Sequence, residues 1–383
     1  MQRFFLAPMH RLATALALFA SLLIPVVAPA QFEGFGFRIY KVESGLYPFV
    51  QVYFRTFDQN LRPLVNLNEL NVGVMVRGRA YDPTKFQYMV QSIQNRQEAV
   101  RSVLVIDCSK TMEGEPFAEA LRAAARYVDS KRPQDQIAIL AIVDNERGYE
   151  RVSPFERDPA ALARRLADMK ADGLKSRIYD SVAAAMQMCA TTSQGGATTA
   201  EAEYIISNSI VLISDGNDEG SSLSREELNN RITNLRVPVP VFSLGYTQVN
   251  PVHLSNLESL SLNSFGQYFP VGADTKELQR VVEDIQRNIL MNDYVLTFRS
   301  YIPVDGQEHR LKLAIEYPKG SGKITYQGAE FEALMPPPLK PVVDAMTALD
   351  GKLKQLPNAD PSLPPGPLVK FLPKDSSARE DKK

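Results

Sequence analysis

The 383-residue chain is predicted to be an α/β protein with a doubly wound, mostly parallel sheet, flanked in sequence by β-sandwich-like segments. Two patterns carry that prediction. Between residues 99 and 290, apolar runs of strand length alternate with amphipathic helical stretches, the sequence form of a parallel sheet covered by helices on both faces. On either side of this region the chain is β-rich: Leu311, Leu313, Ile315 and Tyr317 alternate with Arg310, Lys312 and Glu316, the period of a strand.

Composition bounds the rest. With 44% hydrophobic residues the chain can bury a sizeable core, and 43 basic against 44 acidic side chains give no bias toward nucleic acid or anionic lipid. Two or three folded units are expected.

Taken from the N-terminus, residues 1–30 read as a signal peptide. Arg3, His10 and Arg11 precede an apolar stretch from Leu12 to Val27, about 16 residues against the ~20 that span a bilayer. Ala28-Pro29-Ala30 then offers small residues at signal-peptidase spacing, so cleavage after Ala30 is expected, with an uncleaved anchor as the alternative. The mature chain has no second long apolar run, so no membrane span is expected in it, and an exported protein, periplasmic or secreted, is predicted. Residues 31–98 are β-rich, with strands expected over Phe49 to Phe57 and Val72 to Val76. Residues 291–332 are β-rich as well, with strands at Tyr294 to Phe298 and Leu311 to Tyr317. Lying before and after the middle unit, these segments suggest one β-domain split by an insertion.

Within residues 99–290 the helices announce themselves locally. Phe117, Leu121, Ala124 and Val128 share one helical face, and Ile137 to Val143 follows as a fully buried strand. Asp158-Pro159 is a helix start, with Leu162, Leu166 and Met169 behind it. Ser224 with Glu227, and Asp274 with Glu277, have capping-box spacing. The second opens a helix to Leu290 with Leu278, Val282, Ile285 and Ile289 on its apolar face. Residues 333–383, Pro-rich and charged, are expected to form a disordered tail. Within it Val342, Val343, Met346, Leu349 and Leu353 allow a short helix, docking on a partner or transient. Cys108 and Cys189 invite a disulfide in an exported chain, but their positions suit buried thiols better.

The chemistry concentrates at the end of the run Val103-Leu104-Val105-Ile106-Asp107-Cys108-Ser109-Lys110-Thr111. Residues two apart on an extended chain point the same way, so Asp107, Ser109 and Thr111 can converge as the strand runs out. A hard divalent cation takes about six oxygens, some of them water, so other loops must contribute. Two segments qualify: Ile210-Val211-Leu212-Ile213 ends in Ser214-Asp215-Gly216, and Gly173-Leu174-Lys175-Ser176 opens an apolar helix. Loops after strands that end on one sheet edge share a crevice.

These residues resemble the von Willebrand factor A (VWA) domain, a Rossmann-like fold with a metal-ion-dependent adhesion site (MIDAS). Its signature is Asp-x-Ser-x-Ser, a Thr in a later loop, and an Asp after the fourth strand. Asp107, Ser109 and Thr111 match the first element with Thr for the last Ser; Ser176 stands at the Thr position and Asp215 at the last. Ser176-Arg177-Ile178-Tyr179-Asp180 is similar to the family's Thr-x-Leu-Tyr-Asp segment, and Phe242-Ser243-Leu244-Gly245-Tyr246 to its fifth strand. The resemblance covers residues 99–290 and both exchanges keep the oxygen donor.

It implies one Mg²⁺, or Mn²⁺ or Ca²⁺, held by Asp107, Ser109, Thr111, Ser176 and Asp215, with a protein ligand's exposed Asp or Glu completing the shell. It implies protein binding or adhesion and no enzymatic activity. In family members the terminal helix, here Asp274 to Leu290, shifts on binding. Lys110, Lys175 and Arg177 raise the electrostatic cost of a cation unless they point away or meet Glu113, Glu115, Asp218 or Glu219.

Two alternatives differ in class. One is a metal-free scaffold or assembly subunit binding through the β-domain or tail. The other is a phosphohydrolase of haloacid dehalogenase type, whose Asp-x-Asp-x-Thr motif the Asp107 segment partly matches. That chemistry lacks its general acid, since Ser109 replaces the second Asp. His253 and His309, the histidines after residue 30, are far apart in sequence; a surface helix and a strand start are expected for them.

Overall fold

The computed structural model describes residues 34–96, 99–191, 207–235, 239–246 and 251–356. The expected signal peptide with its cleavage point, and the tail beyond Leu356, lie outside the described residues.

The described residues open with antiparallel strands β1 (Phe35–Leu46) and β2 (Phe49–Asp58), followed by β3 (Val72–Val76), β4 (Arg79–Ala80) and β5 (Tyr88–Ser92). Strand β6 (Val100–Asp107) is buried along its whole length, which is why Val103 to Ile106 form an unbroken apolar run toward Asp107. Helix α1 (Glu115–Ser130) follows, then β7 (Gln136–Ile142), β8 (Tyr149–Glu156), α2 (Pro159–Ala167) and α3 (Ile178–Thr191). The order continues with β9 (Ser207–Ser214), α4 (Arg225–Thr233), β10 (Val241–Tyr246), α5 (Leu254–Asn263), β11 (Gln267–Gly272) and α6 (Thr275–Asp284). A π-turn, Ile285–Ile289, leads from α6 to β12 (Tyr294–Arg299), β13 (Glu308–Glu316), β14 (Ile324–Glu332) and α7 (Lys340–Asp350).

The middle region forms a six-stranded sheet of order β11-β10-β9-β6-β7-β8, parallel except for β8 at one edge. Leu104, Ile106 and Cys108 pack with α1, α2 and α6 on one face, while Val103 and Val105 pack with α3, α4 and α5 on the other. The sheet is thus doubly wound, as the alternation of runs and helices predicts. Cys108 and Cys189 fall in these two separate cores as buried thiols that are not joined in a disulfide.

Two further sheets, of order β1-β2-β12-β5 and β14-β13-β3-β4, each join strands from before and after the middle region. Leu296 pairs with Val52 and Leu313 with Val74. Val50, Val52 and Phe54 of one sheet share a core with Val74, Leu311 and Leu313 of the other. The opposite side of the first sheet is buried too: Tyr40, Tyr53 and Val295 join the core under α1 and α6.

Three expectations need correction. Helix α7 lies within the segment read as disordered tail, and it docks on its own chain: Val342 and Leu353 are buried with Leu46 and Phe49, with Met346 and Leu349 alongside. The apolar spacing was real, and the complementary surface was elsewhere in the same chain. At Asp274 only half of a capping box forms, because the side chain accepts from the Lys276 and Glu277 amides while the Glu277 carboxylate turns to Arg280. The helix that follows is not uniform either, its last turn widening so that the Leu290 amide reaches the Ile285 carbonyl at 2.9 Å.

Candidate functional site

Strand β6 delivers Asp107 to the sheet edge and stops there. Ser109 then caps a 3₁₀ turn over Lys110–Met112, whose buried Met112 pulls the chain inward. Thr111 therefore sits on a turn rather than on a continuing strand, which corrects the alternation argument. The hydroxyls still meet, with Ser109 Oγ and Thr111 Oγ1 2.9 Å apart.

Asp107 is wholly buried and its oxygens are gathered from three segments. The Ser109 amide donates to Oδ1 at 3.0 Å, and the hydroxyls of Ser176 and Ser214 donate to Oδ2 at 3.1 and 2.7 Å. Burial first, and then the charge of Asp215, push the Asp107 carboxyl above its ordinary range; the hydrogen bonds from Ser214 and Ser109 act the other way. Asp215, on the residue after β9, accepts the Asn217 amide at 3.0 Å and is itself 7% exposed.

Backbone ties hold the loops in register. Gly173 bridges to Ser109, with the Lys110 amide donating to the Gly173 carbonyl at 2.7 Å and the Gly173 amide to Cys108 at 3.1 Å. The Glu219 amide reaches the Ser176 carbonyl at 2.6 Å. Gly216 has a φ of +81°, and a Cβ there would stand 2.4 Å from the His253 carbonyl oxygen, so the turn beyond Asp215 packs directly on the 3₁₀ turn Pro251–His253. His253 is thus half-buried at the entry to α5 instead of riding a surface helix. His309, in β13, is buried and paired with Asp305 at 3.0 Å.

All five residues singled out in the sequence stand at this one edge: Asp107, Ser109 and Ser176 through direct hydrogen bonds, Thr111 through Ser109, and Asp215 as the neighbouring charge. Ser214 is the member the sequence reading did not assign. Its hydroxyl donates to Asp107 and accepts the Gly216 amide at 3.0 Å, so it links β6 to the β9 turn. The signal was present in Ser214-Asp215-Gly216, but a hydroxyl beside a carboxylate has no assigned direction until the strands are paired.

The donor set suits a hard cation. It comprises two carboxylates and three hydroxyls, all oxygen, and a positive charge would favour the ionised Asp107 that burial first, and the charge of Asp215 second, disfavour. Arg177 is taken up elsewhere: it pairs with Asp180 at 2.6 Å and donates to the Glu146 carbonyl at 2.8 Å.

A family model described as von Willebrand factor type A domain matches residues 102–217. The chain accordingly contains a VWA domain, and its mixed α/β architecture is that of the fold. No curated relative matches the chain. Among solved structures it is similar to a von Willebrand factor type A protein from Catenulispora acidiphila, at 13% identity and a TM-score of 0.42, over 85% of this chain and 77% of that one. It is similar to the SpRpn10 VWA domain at 14% identity and a TM-score of 0.37, over 48% and 94%. It is also similar to the three N-terminal domains of the type V pili tip protein Mfa5 from Porphyromonas gingivalis, at 10% identity and a TM-score of 0.37, over 78% and 77%.

Proposed function

We propose that this chain is a protein-binding module whose sheet edge at Asp107, Ser109, Thr111, Ser176 and Asp215 holds a divalent cation, Mg²⁺ foremost, and that a partner's Asp or Glu completes the shell. The observation that carries the reading is the convergence of three segments on the buried Asp107 carboxylate, with Asp215 beside it and an exposed hydroxyl, Thr111, at the mouth. A cation bound there supplies Lewis-acid attraction for an incoming carboxylate, the stronger because much of the set is uncharged hydroxyl. The chain's residues orient it: Ser176 and Ser214 fix the Asp107 oxygens, and the Gly216 turn fixes Asp215.

The same residues argue for binding rather than catalysis, since Ser109 holds the place a phosphatase gives to its acid. An interaction through the apolar face of α7 is disfavoured, since Leu46 and Phe49 of its own chain cover that face. The reading also takes the two antiparallel sheets as one β-domain interrupted by the VWA domain, in a protein exported by its N-terminal segment. Among the described residues no helix is long and apolar enough to cross a membrane.

Calorimetric titration of Mg²⁺ and Mn²⁺ into the metal-stripped protein tests this. Saturable binding is expected, lost in Asp107→Ala and weakened about ten-fold in Thr111→Val, a change of roughly 1.4 kcal/mol. The second variant matters because Thr111 is exposed and, among the described residues, its hydroxyl bonds only to Ser109, so its loss should leave the fold intact. Equal affinity in wild type and Thr111→Val would remove Thr111 from the site, and no saturable binding at all would sink the metal reading.

A further inference from the structure

Two lysines border the Asp107 edge, and neither has an acidic partner among the described residues. Lys110 sits in the 3₁₀ turn between Ser109 and Thr111, and its side chain is exposed. Lys175, also exposed, precedes Ser176, and its stem runs beside Gly220: a Cβ on that glycine would lie 3.9 Å from Lys175 Cδ. The amide-to-carbonyl ties across Gly173 hold the two lysine-bearing loops together.

Of the four acidic residues set against them in the sequence, Glu113 is exposed and forms no ion pair with either lysine among the described residues, and the other three have partners elsewhere. Glu115 pairs with Arg122, Asp218 accepts from Ser221 at 2.6 Å, and Glu219 accepts from Asn217 at 2.9 Å. Two fixed positive charges beside a proposed cation site are costly unless something negative arrives with the ligand. Two apolar side chains stand at the same edge: Leu174, between the lysine loop and Gly173, and Val252, on the turn that packs against Gly216, are each 67% exposed.

We propose that Lys110 and Lys175 select a partner loop carrying a run of acidic residues: one carboxylate enters the Asp107 edge and its neighbours pair with the two lysines, over the apolar border of Leu174 and Val252. This rests on the binding edge proposed above and adds the chemistry of the partner. Each exposed pair contributes modestly, so the selection is a preference built from several contacts.

The test uses two short acetylated peptides of alanine and leucine, one with a lone glutamate and the other with a run of glutamates, titrated into the full chain with Mg²⁺ and again in chelator. In the wild type the acidic run should bind about ten-fold tighter than the lone acid, and in Lys110→Ala/Lys175→Ala this ratio should fall to about one while Mg²⁺ affinity does not fall. An equal ratio in both proteins, or no binding of the acidic run to the wild type in either condition, overturns the proposal. A wild type that fails to bind Mg²⁺ but keeps the lysine-dependent ratio in chelator sinks the metal reading and leaves this one standing.

Discussion

The hydroxyl of Ser214 shows how much a single small side chain can control at a buried charge. It donates to Asp107 and receives the Gly216 amide, so the carboxylate of one strand and the turn of another share one oxygen. Replacing Ser214 with Ala leaves Asp107, which has no solvent to turn to, with one donor fewer and frees the Gly216 amide. We expect Ser214→Ala to lower stability by roughly 1–3 kcal/mol in urea denaturation and to weaken Mg²⁺ binding by displacing Asp215. A variant as stable as wild type would show that the bond is not made in solution. The five residues of the candidate site could be picked out by residue type, two carboxylates and three hydroxyls at the ends of apolar runs, although Thr111 reaches the edge on a turn and not by strand spacing. Ser214 could not, because its role depends on β9 lying beside β6, a pairing across more than a hundred residues of sequence that no local pattern states.

At the scale of elements the same division holds. Asp158 caps α2 through the Ala160 amide, and Ser224 with Glu227 forms a complete capping box, as the sequence leads one to expect, since capping is a contact within one turn. Strands β8 and β11 escaped because they are the edges of the six-stranded sheet: β8 carries exposed polar residues and a proline, and so lacks the apolar run that marks β6. Helix α7 was visible as a stripe but not as a docked element, since its counterpart is Leu46 and Phe49, almost three hundred residues away. The docking should be separable from the rest of the fold. Leu353→Ala deletes most of a buried side chain, a change that typically removes about 2–5 kcal/mol. Here it is expected to speed hydrogen exchange across residues 343–353 while amides of β6 keep their protection. Uniform acceleration over the chain would mean that α7 is part of the global unfolding unit.

At the scale of the whole molecule, a buried fork lies where the six-stranded sheet meets the first antiparallel sheet. Arg55 on β2 donates through Nε and Nη2 to both oxygens of Asp293, at 2.8 and 2.7 Å, and through Nη1 to the Phe265 carbonyl at 2.9 Å. Its guanidinium lies over the ring of Phe242 in β10, 4.8 Å from the centroid. Asp293 stands between the π-turn that ends α6 and the start of β12, so the fork joins the six-stranded sheet, the exit of the terminal helix and the first antiparallel sheet at one point. Phe265 offers its carbonyl from a left-handed conformation, φ 62°, which a bulky residue adopts only where its surroundings hold it. Buried pairs of this kind stabilise less through their own attraction than they destabilise when halved, because the remaining charge has no solvent. Arg55→Met should therefore cost about 3–5 kcal/mol, whereas Arg55→Met/Asp293→Leu should recover a large part of that loss, a non-additivity that a double-mutant cycle reads directly. The chain has no tryptophan, so the cycle is best followed by far-ultraviolet circular dichroism together with tyrosine fluorescence, Tyr40 and Tyr53 lying at this junction. If the fork couples the sheets, the two signals should coincide in the wild type and separate in Arg55→Met; coincident transitions in both proteins, with additive losses in the double variant, would show that packing of Tyr40, Tyr53 and Val295 under α1 and α6 suffices to join them.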